Sequence, residues 1–262
     1  MSEKVSVLVT VYNGESYIEK CITSVLNQAY INFELIIVND GSQDRTAEIV
    51  NKYESIDNRI VNVFRSENKG RVFSLNEGIE NCTTNFIFIN DIDDFSSKER
   101  LSQSMNFYNQ LNPLEQEEFG LLGTASYEYD EKNDHCKKYS IKFGSMNRKK
   151  IPEWRLYFGI PFVHSSVMYS KKALNSIGSF TEEVSSCIDL FTIIKIANKY
   201  KIYGINEFLC VRSVNNDSFF TSKNIDKKGL YNMEIIRNWQ GNNIKYHKFI
   251  MTLHYLIKHS KY

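Results

Sequence analysis

No stretch of this sequence holds enough consecutive apolar residues to span a bilayer. The chain opens Met-Ser-Glu-Lys and runs straight into a β-branched segment, with neither the basic n-region nor the apolar h-region of a secretory leader. A cytoplasmic protein is expected, touching the inner face of a membrane at most peripherally. The 5 cysteines (Cys21, Cys82, Cys136, Cys187, Cys210) form no C-x-x-C pair, which argues against a zinc site or a disulfide framework and for a reducing compartment. Lys and Arg (32) almost balance Asp and Glu (31), so net charge gives no reason to expect nucleic acid as partner. Proline is scarce (3), and there is no internal repeat, low-complexity linker or Pro/Gly-rich boundary. Residues 10–16 contain one Gly and no Lys or Arg. That excludes a basic, Gly-rich triphosphate cradle of the sugar-nucleotide pyrophosphorylase type and the G-x-G-x-x-G fingerprint of dinucleotide-binding dehydrogenases.

What is present is an alternation of strand and helix over the first ninety-odd residues. Residues 5–11, 33–38, 60–64 and 86–89 are apolar or β-branched runs of buried-strand length. Between them Ile18, Cys21, Ile22, Val25 and Leu26, then Ile49, Val50 and Tyr53, recur at helical spacing, and a third helix is expected from Gly70 through Ile79. Such βαβ units predict an α/β fold with a mainly parallel sheet, right-handed crossovers and helices on both faces. Ligands of open parallel sheets bind outside the carboxyl ends of the strands. Four polar clusters fall there: Tyr12-Asn13, Asp40, Asn68-Lys69-Gly70, and the acidic run Asp91, Asp93, Asp94.

These clusters offer complementary chemistry. Thr10, Tyr12 and Asp40 come from neighbouring strand ends; an aromatic can stack on a pyrimidine, and a carboxylate can accept from a ring N–H or a ribose hydroxyl. Tyr12 packing on the sheet rim, and Asp40 closing an Asx turn with Gly41 and Ser42, remain alternatives. Three carboxylates within four residues after an apolar strand suit a hard divalent cation, Mn2+ or Mg2+, shared with phosphate oxygens.

Beyond residue 100 the pattern is looser. Ser96 and Glu99 read as a capping box for a helix carrying Leu101, Met105 and Tyr108. Strands are expected from 119 to 125, around a turn at 130–134, and from 163 to 170. A short helix with Ala173, Leu174 and Ile177 should stop at Gly178, and another should open at Ser185-Ser186 and run to about Tyr200. Residues 226–262 carry seven Lys/Arg against two acids, interleaved with Tyr231, Trp239, Tyr246, Phe249 and Tyr255. This composition predicts a helical segment suited to an anionic membrane surface, a second subunit in a homodimer, or packing back on the domain. The expected organisation is therefore one domain over 1–225, with a nucleotide-binding half (1–100) and an acceptor-binding half (101–225), followed by a basic helical tail.

The succession Val-Thr-Val-Tyr-Asn-Gly (9–14), Val-Asn-Asp-Gly-Ser (38–42), Asn-Lys-Gly (68–70) with Asn-x-Gly (76–78), and Asp-x-Asp-Asp (91–94) resembles the family 2 inverting glycosyltransferases. The resemblance is specific over residues 5–100, looser over 160–215 and absent from the tail. It implies the GT-A fold, a nucleotide-diphosphate sugar donor (UDP-sugar foremost) and a hydroxyl acceptor on a glycan or lipid-linked saccharide. By the same resemblance Thr10, Tyr12, Asn13, Asp40 and Arg71 hold the nucleoside, Asp91 contacts ribose or metal, and Asp93 binds the ion under the diphosphate. Residues 177–189 are similar to the family's Gly-x-Phe stretch leading to a Glu-Asp pair, which places the general base on Asp189; a first-turn acid that merely stabilises its helix is the competing account. Ile188 stands where the family has Glu, and Val214 where an Arg-x-His motif beginning at Arg212 would supply a third metal ligand. These departures leave open a catalytically weak nucleotide-sugar-binding partner subunit. Asp94, His164 and Arg212 complete the candidates for contact with donor sugar or acceptor, although His164 equally fits a half-buried histidine satisfied by backbone.

Overall fold

The computed structural model describes residues 2–139, 148–151, 156, 162–183 and 188–214. The basic tail and the Ser185-Ser186 helix start lie outside these residues.

Four parallel strands build the first half: β1 (Val5–Val11), β2 (Phe33–Asn39), β3 (Ile60–Phe64) and β4 (Phe86–Ile89), in the order β3-β2-β1-β4. Every residue of β2 is buried, as its apolar run Leu35–Val38 requires when both faces are covered, with Glu34 and Asn39 buried at its two ends. The period of two sorts the side chains of β1. Val7, Val9 and Val11 join one apolar layer with Ile18, Cys21, Ile22 and Val25 of α1 (Ile18–Leu26) and Val50 of α2 (Thr46–Glu54). Leu8 points the other way, to Leu75 and Ile79 of α3 (Arg71–Asn81). The contact with α3 is close: a Cβ on Gly78 would come within 2.2 Å of Leu8 Cδ1, so the Asn-x-Gly turn of the helix is a packing requirement.

The second half extends the same sheet with mixed pairing. After β5 (Phe95–Ser96), α4 (Arg100–Asn109) and α5 (Pro113–Glu117) come the long β6 (Phe119–Asp130), its hairpin partner β7 (His135–Tyr139), and β8 (Arg148–Lys150). Then follow β9 (Val167–Ser170), α6 (Lys171–Ser176), α7 (Ile188–Ala197) and β10 (Lys201–Val214). β9 is inserted antiparallel between β4 and β6, β10 runs parallel to β6, and β5 closes the far edge against β10. Parallel pairing thus dominates where βαβ units repeat, and the antiparallel part comes from β9, from β5 and β8 on β10, and from the hairpin around 130–134. Because β5 follows β4 after only five residues yet pairs with β10, the acidic run between them is held across the middle of the sheet.

Two local expectations fail. Ser96 does not cap α4; it lies in β5 and donates its hydroxyl to Asn90 Oδ1 (2.8 Å), and Glu99, which precedes the helix, makes no side-chain cap. The capping box of this region belongs to Asn112 and Glu115 of α5, where Pro113 takes the first helical position. Residues 163–170 are not one strand either. Ser166 turns its N–H (3.0 Å) and its hydroxyl (2.8 Å) to the Val163 carbonyl, winding His164–Ser166 into a 3-10 turn before β9 begins. Gly178 ends the region of α6 in the left-handed conformation (φ 79°), as its position predicts.

Candidate nucleotide and metal site

The carboxyl ends of β1 and β2 are laced together. Asn13 sits at φ 50°, donates its N–H to Ser42 Oγ (2.9 Å) and accepts the Gln43 N–H on Oδ1 (2.8 Å). Gly14 donates to Thr46 Oγ1 (2.9 Å), and a side chain at Gly14 would strike Ile92 Cδ1 at 2.1 Å. The loop after β1 therefore rests directly on the acidic loop. Tyr12 is left half exposed at this rim, beside the partly buried Thr10.

Asp40 is buried, and its work is to clamp the segment leading into α3. It accepts the N–H groups of Lys69 and Gly70 (2.9 Å each) and Arg65 Nη1 (3.0 Å). Burial alone would raise its pKa; the backbone donors, Ser74 and Arg65 outweigh that and hold it below the ordinary carboxylate value. The Asx turn at this point belongs to Asn39, whose Oδ1 takes the Ser42 N–H (3.1 Å). Arg65 also pairs with Glu77 and lies 4.2 Å over the Phe73 ring. Gly41 (φ 74°) lets the clamp close, since a Cβ there would sit 2.5 Å from the Glu67 carbonyl carbon.

From the clamped segment Arg71 opens α3 and reaches across to the acidic loop. Its Nη2 bonds Asp91 Oδ1 (2.6 Å) and His164 Nδ1 (3.2 Å). A guanidinium can only donate, so His164 accepts on Nδ1 and is neutral, with its proton on Nε2. That nitrogen is buried with no partner among the described residues, and burial lowers the histidine pKa. His164 packs edge-on against Tyr169 and Phe180, with ring centroids at 6.1 and 5.7 Å, rather than being satisfied by backbone.

The three acids of the loop occupy different environments. Burial resists the charge of Asp91, but Arg71, and Ser165 beside it, hold it ionised below its usual pKa. Asp94 is buried, accepts the Ser213 N–H of β10 on Oδ1 (3.0 Å), and is pushed up to about 8 by burial and by Asp91 and Asp93. Asp93 is raised by burial and by Asp91, and its carboxylate pairs with no cation among the described residues. No group of three His, Cys, Asp or Glu side chains is placed to hold a metal ion among the described residues. An all-protein cage is therefore not what this site offers; one free, electrostatically burdened carboxylate beside a paired one fits a hard cation that draws its other ligands from phosphate and water.

Asp189 lies in the first turn of α7, and its Oδ1 accepts the Leu190 N–H (2.9 Å). Its charge bears on Arg71, His164 and Tyr169, so it lies within electrostatic reach of the partners of Asp91 although nearly a hundred residues separate the two acids in sequence. Arg212 approaches Glu128 (3.8 Å), itself paired with Lys137, and its charge also bears on Asp93. The candidates from both halves thus converge on one end of the sheet.

Two residues of this region were not singled out in the sequence. Arg100 is fully buried and bonds Ile89 O (2.7 Å), Asn90 Oδ1 (3.1 Å) and Ser96 Oγ (2.9 Å) beneath the acidic loop. Its place beside Leu101 and four residues before Ser104, on the buried face of α4, was the available signal. Ser165, whose Oγ accepts the Asp91 N–H (3.0 Å), carried none.

The sequence profile of Glycosyl transferase family 2 matches residues 6–178. An uncharacterized glycosyltransferase of Haemophilus influenzae is 38% identical over 103 residues, 39% of this chain and 41% of that protein, so the chain aligns with less than half of that relative's length. Among solved structures, S. aureus TarS 1-349 in complex with UDP-GlcNAc superposes with a TM-score of 0.71 at 21% identity, over 98% of this chain and 72% of that one. The mannosyltransferase PcManGT from Pyrobaculum calidifontis, in complex with GDP-Man and Mn2+, gives 0.68 at 17% identity over 97% and 71%. At these identities the two structures establish a shared fold.

Proposed function

The chain belongs to glycosyl transferase family 2, and we propose that it moves a sugar, with inversion, from a nucleotide-diphosphate donor to a hydroxyl of a glycan or lipid-linked saccharide. The observation that carries this reading is the convergence of Tyr12, Asp40, the Arg71–Asp91 pair and the unpaired Asp93 at the carboxyl ends of β1, β2 and β4, with Asp189 facing them. UDP is the favoured nucleotide: half-exposed Tyr12 supplies a stacking face, with Thr10 and Asn13 on the same strand end, while Asp40, its carboxylate taken up by Arg65, Lys69 and Gly70, shapes the slot for a pyrimidine and its ribose. The complexes of the two similar folds with UDP-GlcNAc and with GDP-Man and Mn2+ support donors of this class.

In this mechanism Arg71 holds Asp91 ionised and aimed, leaving Asp93 as the carboxylate for the cofactor. A bound Mn2+ or Mg2+, held by Asp93 and the donor diphosphate, would supply positive charge against the leaving group. The acceptor oxygen attacks the anomeric carbon from the side opposite the diphosphate and must lose its proton as the new bond forms. Asp189 takes that proton as general base. His164, neutral and with Nε2–H unpartnered, together with Asp94 and Arg212, completes the lining near donor sugar and acceptor.

The test is a thermal-shift titration of the whole chain with UDP, with and without Mn2+, since a ligand that binds only the native state raises apparent stability. UDP should stabilise the protein only when Mn2+ or Mg2+ is present, and Asp93→Ala should abolish the metal effect. Metal-independent UDP binding of equal strength in wild type and Asp93→Ala would remove Asp93 from the site.

A further inference from the structure

We infer that Arg100 is a positioning residue for the acidic loop: it fixes the sense of the Asn90 side-chain amide, and through that amide the turn that presents Asp93. The inference deepens the donor-site reading above and rests on it.

Arg100 is 0% exposed, yet no carboxylate contacts it among the described residues. All its acceptors are neutral: Ile89 O, Asn90 Oδ1, Ser96 Oγ and Val167 O (3.3 Å), with the Phe88 ring 5.5 Å away and Nε left unpartnered. A cation buried this way is a poor stabiliser of the fold; an unbranched apolar side chain could fill the slot without the desolvation cost. Its contacts have a directional consequence instead. Asn90 is 1% exposed, and its Oδ1 receives two donors, Ser96 Oγ (2.8 Å) and Arg100 Nη1. With the oxygen so committed, Nδ2 must face the other way. It donates to the carbonyls of Asp91 (3.0 Å) and Asp94 (3.2 Å), the two ends of a turn that the Asp94 N–H closes on the Asp91 carbonyl (3.1 Å). An amide turned about would set its oxygen against those two carbonyls and open the turn. Arg100 reaches the backbone of β4 and β9 with Nη2 and the amide with Nη1, a fork that Lys cannot reproduce.

The experiment compares wild type, Arg100→Lys and Ser96→Ala by the Mn2+ concentration that half-saturates the UDP-induced thermal shift. Partners that hydrogen-bond a metal ligand directly change metal affinity by about 10–100-fold, and Arg100, which acts through Asn90 and the backbone of the turn, belongs at the lower end of that range. Arg100→Lys should raise the half-saturating Mn2+ concentration about tenfold or more, and Ser96→Ala, which deletes one of the two donors to Asn90, about threefold. At saturating Mn2+ both variants should regain the wild-type shift, which general damage to the fold would not permit. Half-saturation within twofold of wild type in the folded variants overturns the inference, and Ser96→Ala alone decides if Arg100→Lys does not fold. A wild type with no Mn2+-dependent shift overturns the donor-site reading and this inference together; a wild-type shift that both variants keep unchanged overturns this inference only.

Discussion

Glu34 provides a quantitative check on the fold that presents the site. It lies in β2, at the end of the sheet opposite the acidic loop, with a side chain only 5% exposed. Its carboxylate accepts four hydrogen bonds: Lys4 Nζ (2.7 Å), Ser6 Oγ (2.6 Å), and the Thr83 N–H and Oγ1 (2.7 Å each). Burial pushes its pKa up, but Lys4, Ser6 and Thr83 prevail and bring it from 4.5 to about 2. A depressed carboxyl contributes stability that is complete above the unfolded-state value and is lost as pH falls through the folded one. At about 1.4 kcal/mol per pKa unit, the ionised group contributes about 3 kcal/mol at pH 7, of which about half is gone by pH 3 and nearly all by pH 2. Glu34→Gln keeps one acceptor oxygen but turns an amide against the Lys4 and Thr83 donors. Urea denaturation should show the variant about 3 kcal/mol less stable at pH 7, equivalent to a loss of about 6–12 °C in Tm. Repeated at pH 3, the gap between the two proteins should shrink to about half. An equal gap at pH 7 and pH 3, or no gap at pH 7, would refute the assignment of ionised Glu34 as the buried anchor of Lys4, Ser6 and Thr83.

Two further outcomes are expected at the site. Asp189→Asn should lower sugar transfer by about 10²–10⁴-fold while Mn2+-dependent UDP binding persists; a folded variant with near-normal transfer assigns the base elsewhere, with Glu182, Glu183 and His164 next in line. Arg71→Met removes the Nη2 donor that joins Asp91 and His164, so UDP affinity in a Mn2+ titration should fall about tenfold or more, as for loss of a charged hydrogen bond; unchanged affinity would mean that Arg71 does not organise the site.

The parallel half of the fold was legible because each strand is a short run of β-branched and apolar residues, buried on both faces in β2 and β4, and local pattern suffices for that. The polar ends of β1, β2 and β4 were legible for the same reason: a topological rule places them together before any contact is known. What failed depended on partners remote in sequence. Ser96 and Glu99 have the spacing of a capping box, but Asn90 competes for the Ser96 hydroxyl and wins, so the strand extends and the helix starts later. Asp40 follows the carboxyl end of β2, where the pattern puts it, yet its partners at 65, 69 and 70 could not be read from an Asx-turn motif that Asn39 in fact supplies. Arg100 escaped notice because a cation on a helix is ordinarily read as solvated, and only the tertiary fold shows it fully covered.

The acidic loop gains its chemical character from how unevenly its charges are treated. Asp91 has the guanidinium of Arg71, and Asp94 has the Ser213 N–H and an interior that favours its proton. Asp93, between them in sequence, has neither, and it bears the field of Asp91 as well. Crowded carboxylates relieve one another by taking up a proton or by drawing in a cation. Asp94 is placed for the first and Asp93, less buried, for the second. The turn that Asn90 ties from below keeps these two environments on separate residues, which leaves Asp93 as the acid of the loop that pairs with no cation among the described residues.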